Sequence, residues 1–110
     1  MSDTLSKIAS QMRKGVLDYI ILSIIEKGEV YASDIMQVLK QNNLIIVEGT
    51  LYPLLSRLKN EKFIAYYWVE STGGPPRKYF KLTQEGFEVL KIMKVVWKEL
   101  ESTVHNIEAK

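Results

Sequence analysis

The sequence predicts an α+β fold that is mainly helical, with three helices, a two-stranded β hairpin and a long helix at the C-terminus. One short segment places its leucines at the spacing of a single helical stripe and ends in basic residues. Two runs rich in aromatic residues follow it, on either side of a Gly-Gly-Pro-Pro tip. This order of elements predicts a winged helix-turn-helix domain over residues 1–82, followed by a dimerisation helix over residues 83–110.

The first two helices are indicated by their hydrophobic spacing. The first is predicted from Leu5 to Glu26 and ends before the stop signal at Gly28. Glycine costs a helix interior about 1 kcal/mol relative to alanine, so Gly15 predicts a bend or a close packing contact in this helix. The second helix is predicted from Tyr31 to Gln41.

The third helix is predicted to begin near residues 48–50. Proline is tolerated in the first turn of a helix, where its missing N–H breaks no hydrogen bond, and Pro53 fixes the start in this way. One side of the helix is expected to pack on the core, and the other side is free to contact a partner. We expect Leu51, Leu54, Leu55 and Leu58 to be buried, and Thr50, Tyr52, Arg57 and Lys59 to lie away from them.

The hairpin is predicted to have strands over residues 64–69 and 77–82 and a tip over residues 71–76. Arg77 and Lys78 follow the tip directly, which is typical of a basic wing. The aromatic residues alternate along the paired strands. We interpret them mostly as sheet packing: Tyr66, Tyr67, Trp68, Tyr79 and Phe80.

The last helix is predicted to begin at Thr83, as its N-cap. Its apolar residues step by three and four, which is the seam of a coiled-coil-like contact. A two-fold homodimer is the commonest way to close such a seam, and the start of the first helix offers the second surface. The predicted dimer interface comprises Leu90, Met93, Trp97, Leu100, Val104 and Ile107 with Leu5, Ile8 and Met12.

The composition limits the classes of function. A hydrophobic content of 46% exceeds what one small core absorbs, which favours a buried interface. The chain has no cysteine and only one histidine, His105, and it has no phosphate loop or nucleophile motif, so we expect no enzyme activity, no metal site and no cofactor. No apolar run approaches the roughly 18 residues of a membrane span, and the first residues lack a signal-peptide pattern. We therefore expect a soluble, cytoplasmic protein that does not bind membranes.

The charge is concentrated where the third helix and the hairpin lie. Residues 50–81 hold six Lys or Arg against two Glu, whereas the two flanking segments each have one more acidic than basic residue. A basic patch on a reading helix and its wing is the electrostatic pattern of DNA binding. The predicted partner is double-stranded DNA.

Several motifs resemble the PadR family of bacterial transcriptional regulators, in its short subclass with a single C-terminal helix. They are Arg-Lys-Gly-Val-Leu at 13–17, Lys-Gly-Glu at 27–29 followed by Tyr31, Glu-Gly-Thr-Leu-Tyr-Pro-Leu-Leu at 48–55 with Arg57, and Gly-Gly-Pro-Pro-Arg-Lys-Tyr at 73–79 with Leu82, Thr83 and Gly86. The resemblance implies a dimeric winged-helix repressor, usually of detoxification, efflux or stress genes. It also implies that binding of a small molecule weakens the affinity of the repressor for its operator DNA.

The expected DNA contacts follow from the chemistry of these segments. A helix N-terminus at Gly49 presents N–H groups to phosphate, and an arginine such as Arg57 reaches a phosphate or a guanine edge. The wing residues are expected to reach the DNA backbone or the minor groove. Few residues in these segments could hydrogen-bond to base edges, so we expect DNA shape to contribute much of the specificity. An ordinary solvated helix face is the alternative for Arg57, Lys59 and Lys62. The predicted DNA-binding residues are Tyr31, Ser33, Glu48, Gly49, Thr50, Tyr52, Arg57, Lys59, Lys62, Gly74, Arg77 and Lys78.

Trp97 has two interpretations. It either forms a flat slot for a planar hydrophobic effector, together with Ile8, Met12 and Met93, or is simply packed in the dimer interface. Two other functions remain open for the whole chain. One is a protein-protein adaptor that uses the winged-helix fold, and the other is a ligand-binding carrier that does not bind DNA.

Overall fold

The computed structural model describes residues 2–110 and confirms the winged helix-turn-helix fold with a long last helix. Four helices surround one small antiparallel sheet, and the elements follow the predicted order. They are α1 (Ser2–Glu26), β1 (Val30–Tyr31), α2 (Ala32–Gln41), α3 (Glu48–Asn60), β2 (Ile64–Ser71), β3 (Gly74–Leu82) and α4 (Gln84–Glu108).

The sheet has three strands, whereas the sequence predicted two. The additional strand is β1, which pairs with β3 through Val30 opposite Phe80 and Tyr31 opposite Tyr79. The strand order is β1-β3-β2, so the first strand of the wing's sheet comes from the turn between α1 and α2. A strand of two residues carries no periodic signal, which is why the sequence pattern missed it.

The tip of the wing is narrower than predicted. Ser71 pairs with Gly74, so only residues 72 and 73 form the turn, and Gly73 has the positive φ of 79° that favours glycine. Pro75 and Pro76 lie inside β3, opposite an irregularity in β2 between Val69 and Ser71. Proline is accommodated there because the ladder of hydrogen bonds is interrupted at this point.

One apolar core joins every element and fixes the orientation of α3. Leu51, Leu55 and Leu58 of the predicted leucine stripe are buried in this core, and Leu54 is half-buried against it. Leu90 of α4 is also 0% exposed, so it belongs to this core and not to the free seam in which the sequence placed it. The buried residues include Ile21, Leu22 and Ile25 of α1, Ile35 and Leu39 of α2, Leu51, Leu55 and Leu58 of α3, and Ile64, Phe80 and Leu82 of the sheet.

The start of α3 lies where predicted, but the reason given for it was wrong. Pro53 is in the second turn, five residues after Glu48. Its missing N–H therefore leaves the carbonyl of Gly49 without its helical partner. Gly49 is exposed, so water can take that place. The preceding Val47 gives no side-chain cap, and only its carbonyl accepts hydrogen bonds, from the N–H groups of Thr50 and Leu51.

The junction into α4 follows the prediction. The Thr83 hydroxyl accepts a hydrogen bond from the Gly86 N–H at 3.0 Å and donates one to the Lys62 carbonyl at 2.6 Å. The first half of α4 then packs along the second half of α1, where Lys94 pairs with Glu26 at 3.2 Å. None of the helices within residues 2–110 is long and apolar enough to cross a membrane.

Gly15 does not make the predicted packing contact within the subunit. A Cβ built at this position would have no neighbouring atom within 4 Å. The opposite holds at Gly86, where a Cβ would lie 2.0 Å from the carbonyl oxygen of Phe63. The approach of α4 to the turn after α3 therefore requires glycine at position 86.

Gly86→Ala is expected to destabilise the fold by at least about 2 kcal/mol, because the added methyl group meets backbone that cannot rotate away. Gly49→Ala is the matched control near the start of another helix, since a Cβ there meets nothing within 4 Å. It should be neutral or stabilising by up to about 1 kcal/mol. Urea unfolding followed by circular dichroism measures both changes, and equal stability of the two variants would contradict the packing described for α4.

Candidate nucleic-acid interface

The burial of the leucine stripe divides the exposed part of α3 into two flanks. One flank faces the wing, where Tyr52, Ser56 and Lys59 line an open cleft of about 220 Å³ with Tyr66 and Lys78. The other flank faces α1. Side chains predicted from the sequence to form a single reading face are thus separated by the packing of the helix.

The cleft between α3 and the wing brings two lysines to one aromatic ring. The Nζ atom of Lys78 lies 4.5 Å from the centre of the Tyr66 ring, and that of Lys59 lies 5.9 Å from it. Cation–π attraction holds each ammonium near the ring while leaving its N–H donors free. Lys59 and Lys78 therefore form a paired basic site across two elements.

A second basic site forms where three predicted DNA-binding residues meet. The Arg77 guanidinium stacks 3.9 Å from the centre of the Tyr31 ring and donates a hydrogen bond to the Ser33 hydroxyl at 2.5 Å. Tyr79 supports the other side of this arrangement, with its ring centre 4.6 Å from that of Tyr31. Within residues 2–110, Arg77 forms no salt bridge. Its charge is oriented but not neutralised.

Arg57 does not take part in either basic site. Its guanidinium bonds Asp18 of α1 at 2.6 Å and Glu61 at 2.9 Å. Both contacts raise the pKa of Arg57 above its ordinary value, the hydrogen bond to Asp18 most strongly and that to Glu61 next. Without DNA, Arg57 thus fastens α3 to α1, and its contact with DNA stays a prediction.

The N-terminus of α3 offers fewer free groups than the sequence predicted. The Thr50 N–H donates to the Val47 carbonyl at 2.9 Å, so only the hydroxyl of Thr50 remains for DNA. Glu48 and Gly49 are exposed beside it. The Glu48 carboxylate lies in the first turn of α3, where it interacts favourably with the positive end of the helix dipole but repels phosphate.

The remaining predicted contacts lie outside the two basic sites. Lys62 follows the end of α3 with a positive φ of 69°, and its backbone carbonyl is held by Thr83. Gly74 lies at the wing tip, where a Cβ would approach the Ser71 hydroxyl to 3.1 Å. This close approach gives Gly74 a role in shaping the tip.

The structure also adds residues that the sequence pattern missed. Ser56 lies four residues after Tyr52 and three before Lys59, so helical spacing alone could have identified it. Tyr66 was interpreted as sheet packing, yet it is the ring around which the two lysines gather. No local signal in the sequence distinguishes an aromatic residue that faces a cleft from one that faces the core.

The predicted effector residues are only partly brought together. Met93 and Trp97 line a groove between α1 and α4 with Asp18 and Tyr19, and the Trp97 and Tyr19 ring centres are 6.3 Å apart. Ile8 and Met12 lie on earlier turns of α1 and do not line this groove. Within one subunit, therefore, they do not complete a slot.

Comparison with known proteins gives a consistent result. Residues 21–92 match the model of the transcriptional regulator PadR-like family. A PadR-like transcription factor from Bacteroides fragilis is 56% identical, with a TM-score of 0.80, and covers 92% of this chain and 98% of its own. A PadR family transcriptional regulator from Eggerthella lenta is 30% identical, with a TM-score of 0.87, and covers 96% of this chain and 93% of its own.

A structure of Bacillus subtilis PadR in complex with operator DNA is also similar to this chain. The two are 28% identical with a TM-score of 0.67. The match covers 73% of this chain but 47% of the larger protein. The family model and these three proteins are regulators of transcription and not enzymes.

Arg77 and Arg57 provide a matched pair of substitutions. Arg77→Gln is expected to weaken binding to any duplex. Because one phosphate contact is lost, the fall of log affinity with log salt should also become less steep, by about one unit of slope. Arg57→Gln should leave that slope unchanged, since its charge is already paired with Asp18 and Glu61. Fluorescence anisotropy at several salt concentrations measures both slopes. A loss of one unit for Arg57 but none for Arg77 would reverse the assignment of the two flanks.

Proposed function

We propose, from the premise that this chain belongs to the transcriptional regulator PadR-like family, that it is a homodimeric repressor that binds operator DNA and releases it when a small molecule binds. The observation that carries the DNA-binding part is the pair of basic sites beside α3. Residues 1–82 would bind DNA and residues 83–110 would mainly form the dimer. Such a regulator would act in the cytoplasm, on genes for detoxification, efflux or stress.

The two basic sites suit a duplex because they lie in adjoining clefts that share Tyr52 of α3 and Lys78 of the wing. With α3 in the major groove, Tyr52, Ser56 and Lys59 would face base edges and phosphates. The wing would then follow the backbone towards the minor groove, with Lys78 and Arg77 as phosphate donors. The operator DNA bound by Bacillus subtilis PadR supports this assignment by similarity.

Dimerisation is supported by apolar residues that the subunit leaves uncovered. On α1, Leu5 and Met12 are 69% and 72% exposed, and on α4, Ile107 is 70% exposed. Large side chains exposed in continuous rows mark an interaction surface. The two helices run antiparallel, with Glu26 beside Lys94 and Tyr19 beside Trp97, so both rows lie towards the same end of the helix pair. A two-fold axis at this end would place each row of one subunit against the other row of its partner.

A second apolar surface lies between α1 and α2. Ile20 and Ile24 of α1 line an open, largely apolar cleft of about 540 Å³ together with Val38 and Leu39 of α2. Ile20 and Ile24 directly precede the core residues Ile21 and Ile25 and are partly buried against the core, so the cleft borders the core. The second half of a partner's α4 has the apolar residues to cover such a surface.

The effector part of the proposal centres on the groove beside Trp97. In one subunit this groove has a volume of about 190 Å³, which is below the roughly 300 Å³ at which ligand pockets begin. A partner would add a second wall with its own Trp97 and complete a flat apolar slot. Asp18, which holds Arg57, lines the same groove, so a bound molecule would lie next to the contact that fastens α3.

The dimer is tested by charging the exposed row of α4. The double substitution Leu100→Glu and Val104→Glu should convert the dimer to a folded monomer, because both side chains are exposed in the subunit and support no core packing. Its affinity for a two-fold-symmetric duplex should fall at least about tenfold, since the two domains are no longer linked. Ser102→Glu, on the opposite side of α4, is the control. Sedimentation velocity would contradict the proposal if the wild-type chain were monomeric or the double variant remained dimeric.

The effector site is tested with an aromatic probe, 8-anilino-1-naphthalenesulfonate, whose negative charge keeps it from intercalating into DNA. In a Trp68→Phe variant, Trp97 is the only tryptophan, and binding of the probe beside it should quench its fluorescence. In the wild-type chain the same probe should lower the affinity for DNA. Trp97→Leu should make DNA binding insensitive to the probe. Quenching that leaves DNA affinity unchanged would indicate binding without regulation.

A further inference from the structure

We propose that Trp68 is a DNA-contacting residue of the wing, whose indole lies against the sugar-phosphate backbone between Lys78 and α3. The inference rests on the proposed DNA-binding function and adds to it a contact that carries no charge. It also revises the interpretation of Trp68 as sheet packing.

The burial of the wing aromatics singles out Trp68. Phe80 is 4% exposed and belongs to the core, whereas Trp68 is 60% exposed although it lies within a paired strand. Burial of a large aromatic side chain stabilises a protein, and Trp68 forgoes most of this gain within the subunit. A tryptophan held in solvent in this way is well suited to an interface.

The indole is held in place by its neighbours on the sheet. Trp68 is paired with Lys78 across the strands, and the Lys78 Nζ atom lies 5.5 Å from the centre of its ring. The Tyr66 ring meets it edge-on, at 6.1 Å and 90°. These contacts position the ring beside a free ammonium group, so the order needed for binding is partly present before DNA arrives.

The surroundings of Trp68 identify the class of partner. It shares an open cleft of about 310 Å³ with Tyr31, Tyr52, Arg77 and Lys78, which come from β1, α3 and β3. No Asp or Glu is among the residues that line this cleft or the adjoining one around Lys59. Two cations, two phenol hydroxyls and one exposed indole complement a polyanion with apolar sugar surfaces, which describes duplex DNA. A hydrophobic protein partner would leave the cations unpaired.

The chemistry of the contact follows from these groups. The indole N–H donates to a phosphate oxygen, and the ring face packs on the neighbouring deoxyribose. Lys78 lies over the aromatic rings in the absence of DNA, and in the complex it pairs with the adjacent phosphate. Because the indole is neutral, it strengthens binding to every sequence without releasing a counterion.

This predicts a distinct signature in binding experiments. Trp68→Ala should weaken binding to any duplex by about fivefold or more, which corresponds to about 1 kcal/mol, while the salt slope stays at the wild-type value. Lys78→Gln should lower the affinity and also make its salt dependence less steep, by about one unit of slope. Phe87→Ala, which removes an exposed aromatic residue from α4, is the control and should leave affinity and slope unchanged.

The position of the indole can be observed directly in the wild-type chain. The protein has two tryptophans, so labelling with 5-fluorotryptophan gives two fluorine resonances, and the Trp68→Phe variant assigns them. Addition of a mixed-sequence duplex at low salt should shift and broaden the Trp68 resonance, and a duplex carrying a selected operator should shift it at lower concentration. Circular dichroism of the variants verifies that each is folded.

The outcomes separate this inference from the proposed function. A shifted Trp68 resonance with an unchanged salt slope for Trp68→Ala supports the contact. DNA binding with an unmoved Trp68 resonance, or with wild-type affinity for Trp68→Ala, overturns the contact and leaves the proposed function intact. Absence of binding to every duplex tested overturns both.

Discussion

The structure depends on the burial of one leucine stripe on α3. Leu51, Leu55 and Leu58 pack into the same core as α1 and the sheet, and this fixes the rotation of α3 about its axis. The rotation decides which side chains face the wing and which face α1. Tyr52 and Lys59 thereby reach the wing cleft, whereas Arg57 meets Asp18. Packing in the core thus sets the chemistry of the surface.

The first helix connects the two ends of the molecule. Its second half contributes buried residues to the core, while its first half extends beyond the core and leaves a row of apolar residues exposed. At the boundary, Asp18 holds Arg57 of α3, and the next residue, Tyr19, meets Trp97 of α4. One turn of α1 therefore contacts both the helix proposed to bind DNA and the groove proposed to bind the effector. A surface ion pair of this kind contributes about 0.2–1 kcal/mol, which is small enough for a ligand to disturb.

The sequence predicted those features that have local causes. Thr83 caps α4 and the third helix starts at Glu48 because capping and helical spacing act over a few residues. Tyr31, Ser33 and Arg77 were each predicted to bind DNA, and the fold brings them together. The partnership of Arg57 with Asp18 was not predicted, since it joins residues 39 positions apart. Strand β1 was missed because its two residues pair only through β3, and the exposure of Trp68 depends on where α3 packs. The homodimer and the effector slot remain predictions.

We propose that two copies of this chain read a symmetric DNA site with α3 and the wing. Selection of bound duplexes from the fragmented source genome by the purified protein tests this, with the affinity of the recovered duplexes followed against salt. We expect recovery of a pseudo-palindromic site whose half-sites lie about 34 Å, or a multiple of this distance, apart. Recovery of unrelated fragments with uniform, weak and salt-labile affinity would contradict it, because the basic sites would then attract DNA without reading it.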